Sequence, residues 1–453
     1  MPSCNSSAPL GEVGNASDPS LLRLEVIVTA VVALVVGVLM LSLRWSWLHD
    51  DVTFAMFASP DGPFDGSLRS FLSARLATWT SRFAIEAVLF KLTRSIILWR
   101  AGTALAIIAC IVLPPWLITS VQRTRIVLIV ASAMMFSSIP SMMLFDAGLI
   151  ATSVNYLWVL AAGLWAATPA VLIIQRRRAR IWIVVIAAIM AIYAGSSELM
   201  AVFLLLTYLI ATAIAVTRRA IRWPMAQIAI LITFALTSAV LVGYHLTNQG
   251  NRTRAGVVSW IITDFERAFF STLRQAFISG YLIPLAFLAL CVVGAYIRQR
   301  GRWVYAVATV PLWGSLILRD QAIPGTLGMV MSNSFSAGSL LWAESPVGWV
   351  QTFGAANLMS AAILTAMLIL TIVSVIYAST APARHCIILI LAVGFMSKFT
   401  VVPTVGEALR IQFHRTDTYL IFAFLIATLI LLADILDTNG FPQWSHIHAN
   451  QSV

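Results

Sequence analysis

Apolar runs of near-bilayer length recur along the whole chain, separated by short polar connections. A membrane-crossing helix needs about 20 apolar residues. Such runs fall near residues 24–43, 101–119, 126–144, 152–173, 181–195, 198–217, 225–246, 279–297, 303–318, 355–378, 386–402 and 418–436. The pattern predicts an all-α polytopic transmembrane protein of about 12 TM helices. Residues 1–22 are polar, rich in Ser, Asn and Gly, and read as a disordered tail. Residues 438–453 form a second tail, and 23–437 read as a single transmembrane domain. The run Leu24–Leu43 is too long for a signal-peptide core and lacks a small-residue cleavage site, so it reads as an uncleaved anchor.

Two segments depart from this pattern. In Ala84–Trp99, residues Ile85, Val88, Leu89, Leu92, Ile96 and Trp99 form one helical stripe, with Glu86, Lys91 and Arg94 off it. A helix of that length covers only about 24 Å. It reads as an amphipathic helix lying in the membrane interface. Ser67–Thr78, with Leu68, Phe71, Leu72 and Leu76 on one side, reads as a second. Residues 45–100 then form one long first loop carrying interfacial helices. Further long connections are expected at 247–278 and 319–354, the latter rich in Gly and Ser. No convincing internal repeat is present.

Charge sets the orientation. Arg123 and Arg125, then Arg176, Arg177, Arg178 and Arg180, then Arg218, Arg219 and Arg222, then Arg298, Arg300 and Arg302, then Arg384 fall in alternate connections. The positive-inside rule makes these connections cytoplasmic, puts both termini in the cytoplasm and leaves 45–100 outside. Were 84–99 a span, every later cluster would change sides.

Composition agrees. The 453 residues are 60% hydrophobic and 10% charged, with mean hydropathy +0.91; a soluble domain carries about 25% charged residues. The net charge of +11 does not indicate nucleic-acid binding, because the arginines lie in short clusters between apolar runs. Lys91 and Lys398 are the only lysines among the 29 basic residues. Neither the four cysteines nor the six histidines have the spacing of a metal site.

The conspicuous polar residues gather on the expected outer side. Trp45, Trp47, His49, Asp50 and Asp51 follow the first span. Adjacent carboxylates at the membrane surface suit a general base; a solvated loop is the competing reading. A divalent cation at Asp50/Asp51 is compatible with the pair but not required by it. Trp79, Arg82, Phe83 and Glu86 lead into the second amphipathic segment, where interfacial anchoring competes. Asn155, Tyr156 and Trp158 begin an otherwise apolar span, where a helix cap is the plainer reading. Gly195, Ser196, Ser197 and Glu198 read as a tight turn with an ionisable group at the membrane boundary. Such groups usually face a cavity or a partner. Asn251, Arg252 and Arg254 lie in an Asn/Gly-rich stretch that reads as a turn able to cradle phosphate. Glu407, Arg410, His414 and Arg415 precede the last span. No Walker loop or G-x-S-x-G motif accompanies them.

The aspartate pair after the first helix, the long first outer loop and the number of spans resemble the GT-C class of membrane glycosyltransferases. More narrowly, His49-Asp50-Asp51, Trp79 to Phe83, Asn155 to Trp158, Gly195 to Glu198, and Asn251-Arg252 with Arg254 resemble a bacterial family of uncharacterised polytopic membrane proteins placed beside that class. The resemblance implies a bacterial plasma-membrane enzyme. It would move a sugar from a polyprenyl-phosphate donor to an envelope glycan or lipid acceptor on the extracytoplasmic side. It also implies that Asp50 or Asp51 acts on the acceptor hydroxyl. Arg82, Arg252, Arg254, Arg410 and Arg415 are then the candidates for the lipid phosphate, and Glu198 for orienting the acceptor or an arginine. The alternatives are a lipid-linked sugar or polysaccharide transporter or flippase, and a polysaccharide polymerase or ligase. Transporters usually place ionisable residues near the bilayer midplane and show repeats, which this chain does not.

Overall fold

The computed structural model describes residues 19–43, 50–140, 143–144, 148–217, 224–257, 269, 272–273, 275–277, 281–298, 301–317, 346–396 and 409–437, with backbone alone in 254–257, 346–361 and 409–416. Among the described residues the chain is helical and without strands. The helices are α1 (Pro19–Ser42), α2 (Asp50–Ala58), α3 (Leu68–Thr78), α4 (Phe83–Leu92), α5 (Ile96–Ile118) and α6 (Gln122–Ser137). Then come α7 (Leu149–Ile174), α8 (Ile181–Ala194), α9 (Glu198–Thr217), α10 (Met225–Thr247) and α11 (Gln249–Val257). The last are α12 (Leu282–Ile297), α13 (Arg302–Ile317), α14 (Pro346–Ala378), α15 (Ala381–Met396) and α16 (Leu409–Leu436).

Six of these, α1, α5, α7, α9, α10 and the Asp417–Leu436 part of α16, are long and apolar enough to cross a membrane. Shorter apolar helices are α8, α12, α15 and the Ala362–Ala378 part of α14. Large apolar side chains lie exposed on the outward faces, among them Ile27, Leu34, Leu39, Ile97, Ile181 and Met225. A water-soluble protein seldom exposes apolar surface on this scale, and the make-up is that of a helical membrane protein.

Two apolar stretches, α7 and the Asp417–Leu436 part of α16, are mostly buried. α7 lies against α5, α8 and α9, and α16 lies against α6, α12 and α15. The apolar stretches of both are largely hydrophobic all round, as suits a helix enclosed by other helices. Hydroxyls inside the bundle bond back to their own helix: Thr168 to Leu164 O, Thr371 to Met367 O and Thr428 to Phe424 O. This satisfies polar groups where no water is present.

The first long loop folds as three helices, one more than the pattern suggested. Phe54, Phe57, Phe64, Phe71 and Phe90 form a small aromatic core between α2, α3 and α4; Phe71 and Phe90 are closest, with centroids 4.9 Å apart. The expected helix over 84–99 is corrected. α4 stops at Leu92, and Ser95 starts α5 by accepting a hydrogen bond from the Leu98 N–H. Ile96 and Trp99 therefore belong to a long apolar helix. Nor does α4 simply rest on a surface. Glu86, expected on its polar side, is buried and held by both Nε (3.2 Å) and Nη2 (3.0 Å) of Arg75.

Other boundaries move as well. The expected helix 126–144 ends at Ser137, shortly before Pro140, as the preference of a pre-proline residue for extended backbone favours. α16 begins at Leu409 rather than near 418. The tail expected over 1–22 gives way to helix at Pro19. Residues 1–18 and 438–453, and most of the 319–354 connection, lie outside the described residues.

A polar cluster at the α2–α4 end of the bundle

Side-chain contacts between helices divide into two ends. At the end away from α2–α4, Arg125 pairs with Glu25 (3.0 Å) and Arg298 with buried Asp434 (2.7 Å). Asp434 also accepts the Thr380 N–H and hydroxyl, which ties the start of α15 to α16. Thr119 and Thr124 hydrogen-bond to Asp437.

The opposite end holds the candidate site, and it begins with how α7 starts. Asp51 is fully buried. Its carboxylate accepts the N–H of Ala151 (2.9 Å) and of Ile150 (3.2 Å). A carboxylate from another helix thus caps the N-terminus of α7, where the helix dipole favours negative charge. Burial pushes the Asp51 pKa above its ordinary value, with the neighbouring Asp50 adding to the rise; the backbone donors offset only part of it. Gly148 makes the approach possible. Its φ of +142° suits glycine, and a Cβ there would lie 2.6 Å from Asp51 Oδ1. The reading of Asp51 as a free surface base is therefore corrected. Asp50, in the first turn of α2, is the half-exposed member of the pair.

One turn further on, Ser153–Leu157 of α7 is π-helical. Such a turn widens the helix and often occurs at functional positions. Its polar groups are matched locally. Asn155 Nδ2 donates to Ala151 O (2.8 Å), Tyr193 donates its hydroxyl to Val154 O (2.9 Å), and Trp99 Nε1 donates to Ser153 Oγ (2.7 Å). Asn155 and Tyr156 remain half-exposed.

The link between α3 and α4 supplies the cation. Arg82 Nε donates to Glu198 Oε2 at 2.8 Å, and its Nη1 reaches Asn155 Oδ1 at 3.4 Å. Glu198 is the first residue of α9 and follows the Gly195–Ser197 turn, as the sequence suggests. Burial alone would lower the Arg82 pKa; the Glu198 charge outweighs it and holds it above its ordinary value. The Arg82 side chain is still 23% exposed, and its Nη2 has no hydrogen-bond partner among the described residues. Beside it, the rings of Tyr156 and Tyr419 meet edge to face at 6.2 Å.

Behind the ion pair lies a buried relay. Ser81 Oγ is 2.6 Å from His245 Nδ1 and 3.3 Å from Glu198 Oε1. His245 Nε2 is 2.8 Å from the carbonyl of Gly195. Asn251 Nδ2 donates to Ser81 Oγ (2.8 Å) and to His245 O (3.1 Å). Asn251 arrives there on a helix, not on the turn expected for 248–254. Asn248 caps α11 by accepting the Asn251 N–H (3.3 Å), and Gly250 brings that helix against the backbone of Leu76 and Thr80.

Arg82, Asn155, Tyr156, Glu198 and Asn251 thus converge on one cluster. Trp158 does different work: its indole donates to Thr103 (3.0 Å) and packs over Gly102, joining α5 to α7. Arg252 is exposed on α11. His49 lies outside the described residues, and so do the side chains of Arg254, Arg410 and Arg415. Ser81, His245 and Tyr419 belong to the cluster and were not singled out in the sequence. The one available signal was a histidine at the end of the apolar run 225–246. Among the described residues no group of three or more His, Cys, Asp and Glu side chains is placed to hold a metal ion.

The arrangement can bind an anion at the open edge of Arg82, orient a hydroxyl-rich group against Tyr156, and move a proton between Ser81, His245 and Glu198. Comparison with family models, curated proteins and solved structures finds no match to this chain.

Proposed function

We propose that the protein is a bacterial plasma-membrane glycosyltransferase of GT-C type with twelve spans and both termini in the cytoplasm. It moves a sugar from a polyprenyl-phosphate donor to an envelope glycan or lipid acceptor outside. The observation that carries this reading is the convergence of Arg82, Asn155 and Glu198, from three distant segments, with Nη2 of Arg82 left without a partner among the described residues and its side chain 23% exposed. A phosphate carried on a lipid tail fits such a guanidinium, because the headgroup meets the cation while the tail stays in the membrane.

In this reading Asp50 accepts the acceptor's hydroxyl proton as its oxygen bonds to the sugar C1. The bond from C1 to the phosphate oxygen breaks, and the lipid phosphate leaves as an anion beside Arg82. Fixed cationic donors at the departing group stabilise the charge that develops there. Glu198 holds Arg82 in place, and Asp51 holds the start of α7.

The test uses protein in nanodiscs, polyprenyl-phosphate sugars and candidate acceptors, with released polyprenyl phosphate measured by mass spectrometry. Release that Asp50→Asn abolishes in a folded protein supports the transferase and its base. Release unaffected by Asp50→Asn keeps the enzyme and discards the base. No release from a folded protein with its lipid supplied points to a lipid-linked sugar flippase, which leaflet exchange would then measure.

A further inference from the structure

The relay behind Arg82 has a definite proton arrangement. A carbonyl oxygen can only accept, so His245 Nε2 carries the hydrogen that it donates to Gly195 O. In the neutral ring Nδ1 is then an acceptor, and Ser81 donates to it at 2.6 Å. Asn251 fills one acceptor position of Ser81 Oγ. When His245 takes up a proton, Nδ1–H donates to the second acceptor position of Ser81. The Ser81 hydroxyl then turns to Glu198 Oε1, already 3.3 Å away. Ser81, His245 and Asn251 keep their mutual hydrogen bonds in both states, so one proton can be added without breaking the cluster.

Charge gives this proton a role. Among the described residues the charged and titratable groups facing His245 are Glu198 of α9, Arg82 ahead of α4, and Tyr244 beside it on α10; from α11 the facing residue is the neutral Asn251. With neutral His245 the charges of Arg82 and Glu198 cancel. A phosphodiester brought to Arg82 would leave one negative charge uncompensated in a site only about a fifth exposed, which is costly. Protonated His245 restores neutrality.

We infer that His245 is a positioning residue that takes up one proton as the site binds an anionic phosphate headgroup. This rests on the anion-site reading of Arg82 given above. The linkage has a definite sign: affinity rises on acidification and falls as pH rises through the window in which His245 changes state.

The probe is a long-chain alkyl methyl phosphodiester, which, unlike a phosphomonoester with its second pKa near about 6, keeps one charge across the range. Binding is measured to the full chain in nanodiscs. In wild type, affinity is expected to change by up to about tenfold per pH unit, and in His245→Gln to be flat. Calorimetry on wild type in two buffers of different ionisation enthalpy counts the proton directly, so the test survives a variant that does not fold. Uptake approaching one proton per lipid supports the inference. Binding with no proton uptake, or the same pH slope in His245→Gln, overturns it and leaves the anion site standing. Absence of binding at every pH overturns both.

Discussion

Arg82 and Glu198 stand 116 positions apart in the chain, yet Nε of one lies 2.8 Å from Oε2 of the other. The pair fastens the link between α3 and α4 to the start of α9, and Asn155 of α7 joins it from a third direction. Removing one partner leaves a charge in a site only about a fifth exposed. Glu198→Ala is expected to cost about 2–4 kcal/mol. Removing both, as Arg82→Met with Glu198→Ala, is expected to cost less than the sum of the single changes. Unfolding of the four proteins in one detergent measures the coupling; strict additivity would remove the pair from the stability argument.

Asp50 and Asp51 are adjacent and are expected to behave differently. Asp51→Ala removes the cap of α7 and should cost about 1–2 kcal/mol. Asp50→Asn should cost less stability than Asp51→Ala and, on the proposed transferase reading, should abolish sugar transfer. Equal loss of stability in the two would contradict the division of roles.

The raised pKa of Asp51 predicts a pH dependence with a definite sign. The native state holds this proton more tightly than the unfolded chain. The corresponding stability is therefore fully present below the unfolded value of about 3.9 and is lost as pH rises through the folded value. Asn at this position does not titrate. The margin of wild type over Asp51→Asn should thus narrow as pH rises from about 4. A margin that widens over that window would show that the carboxylate is held as an anion.

Gly250 sits where α11 meets the α3 end. A Cβ would lie 2.7 Å from both Leu76 O and Thr80 N. Gly250→Ala should push α11 away, loosen the Asn251 bond to Ser81 and cost about 1–3 kcal/mol. Gly243→Ala is the control, since nothing lies within 4 Å of a Cβ there. Helix propensity predicts a neutral or slightly stabilising change at that position. Thermal unfolding of both checks the contrast.

Asp434 is buried and accepts from Arg298 and twice from Thr380. Asp434→Ala should cost about 3–5 kcal/mol, because it strands the Arg298 charge and the start of α15 together. It lies at the opposite end of the bundle from Arg82. Loss of phosphodiester binding in a folded Asp434→Ala protein would show that the two ends are coupled.

Much of the helical layout was readable along the chain. Each apolar run that predicts a span overlaps a described helix, because a segment that must satisfy its backbone without water has few other choices. The turn at Gly195–Ser197 and the placing of Glu198 at a helix start were equally legible. Helix ends were less so. Ser95 starts α5 and Asn248 starts α11 through single side-chain hydrogen bonds, which apolar periodicity does not register.

The sequence alone determined that this is a chain of apolar helices with polar residues collected at their ends, since apolar length and the spacing of charges are local properties. Only the tertiary structure decided what those residues do. It turned Asp51 into a cap for a helix that starts about a hundred positions later, gave Trp158 to helix packing, and drew Ser81 and His245 into the cluster around Arg82. A hydrogen bond over a few ångströms depends on how helices pack in space, and separation along the chain carries no record of it.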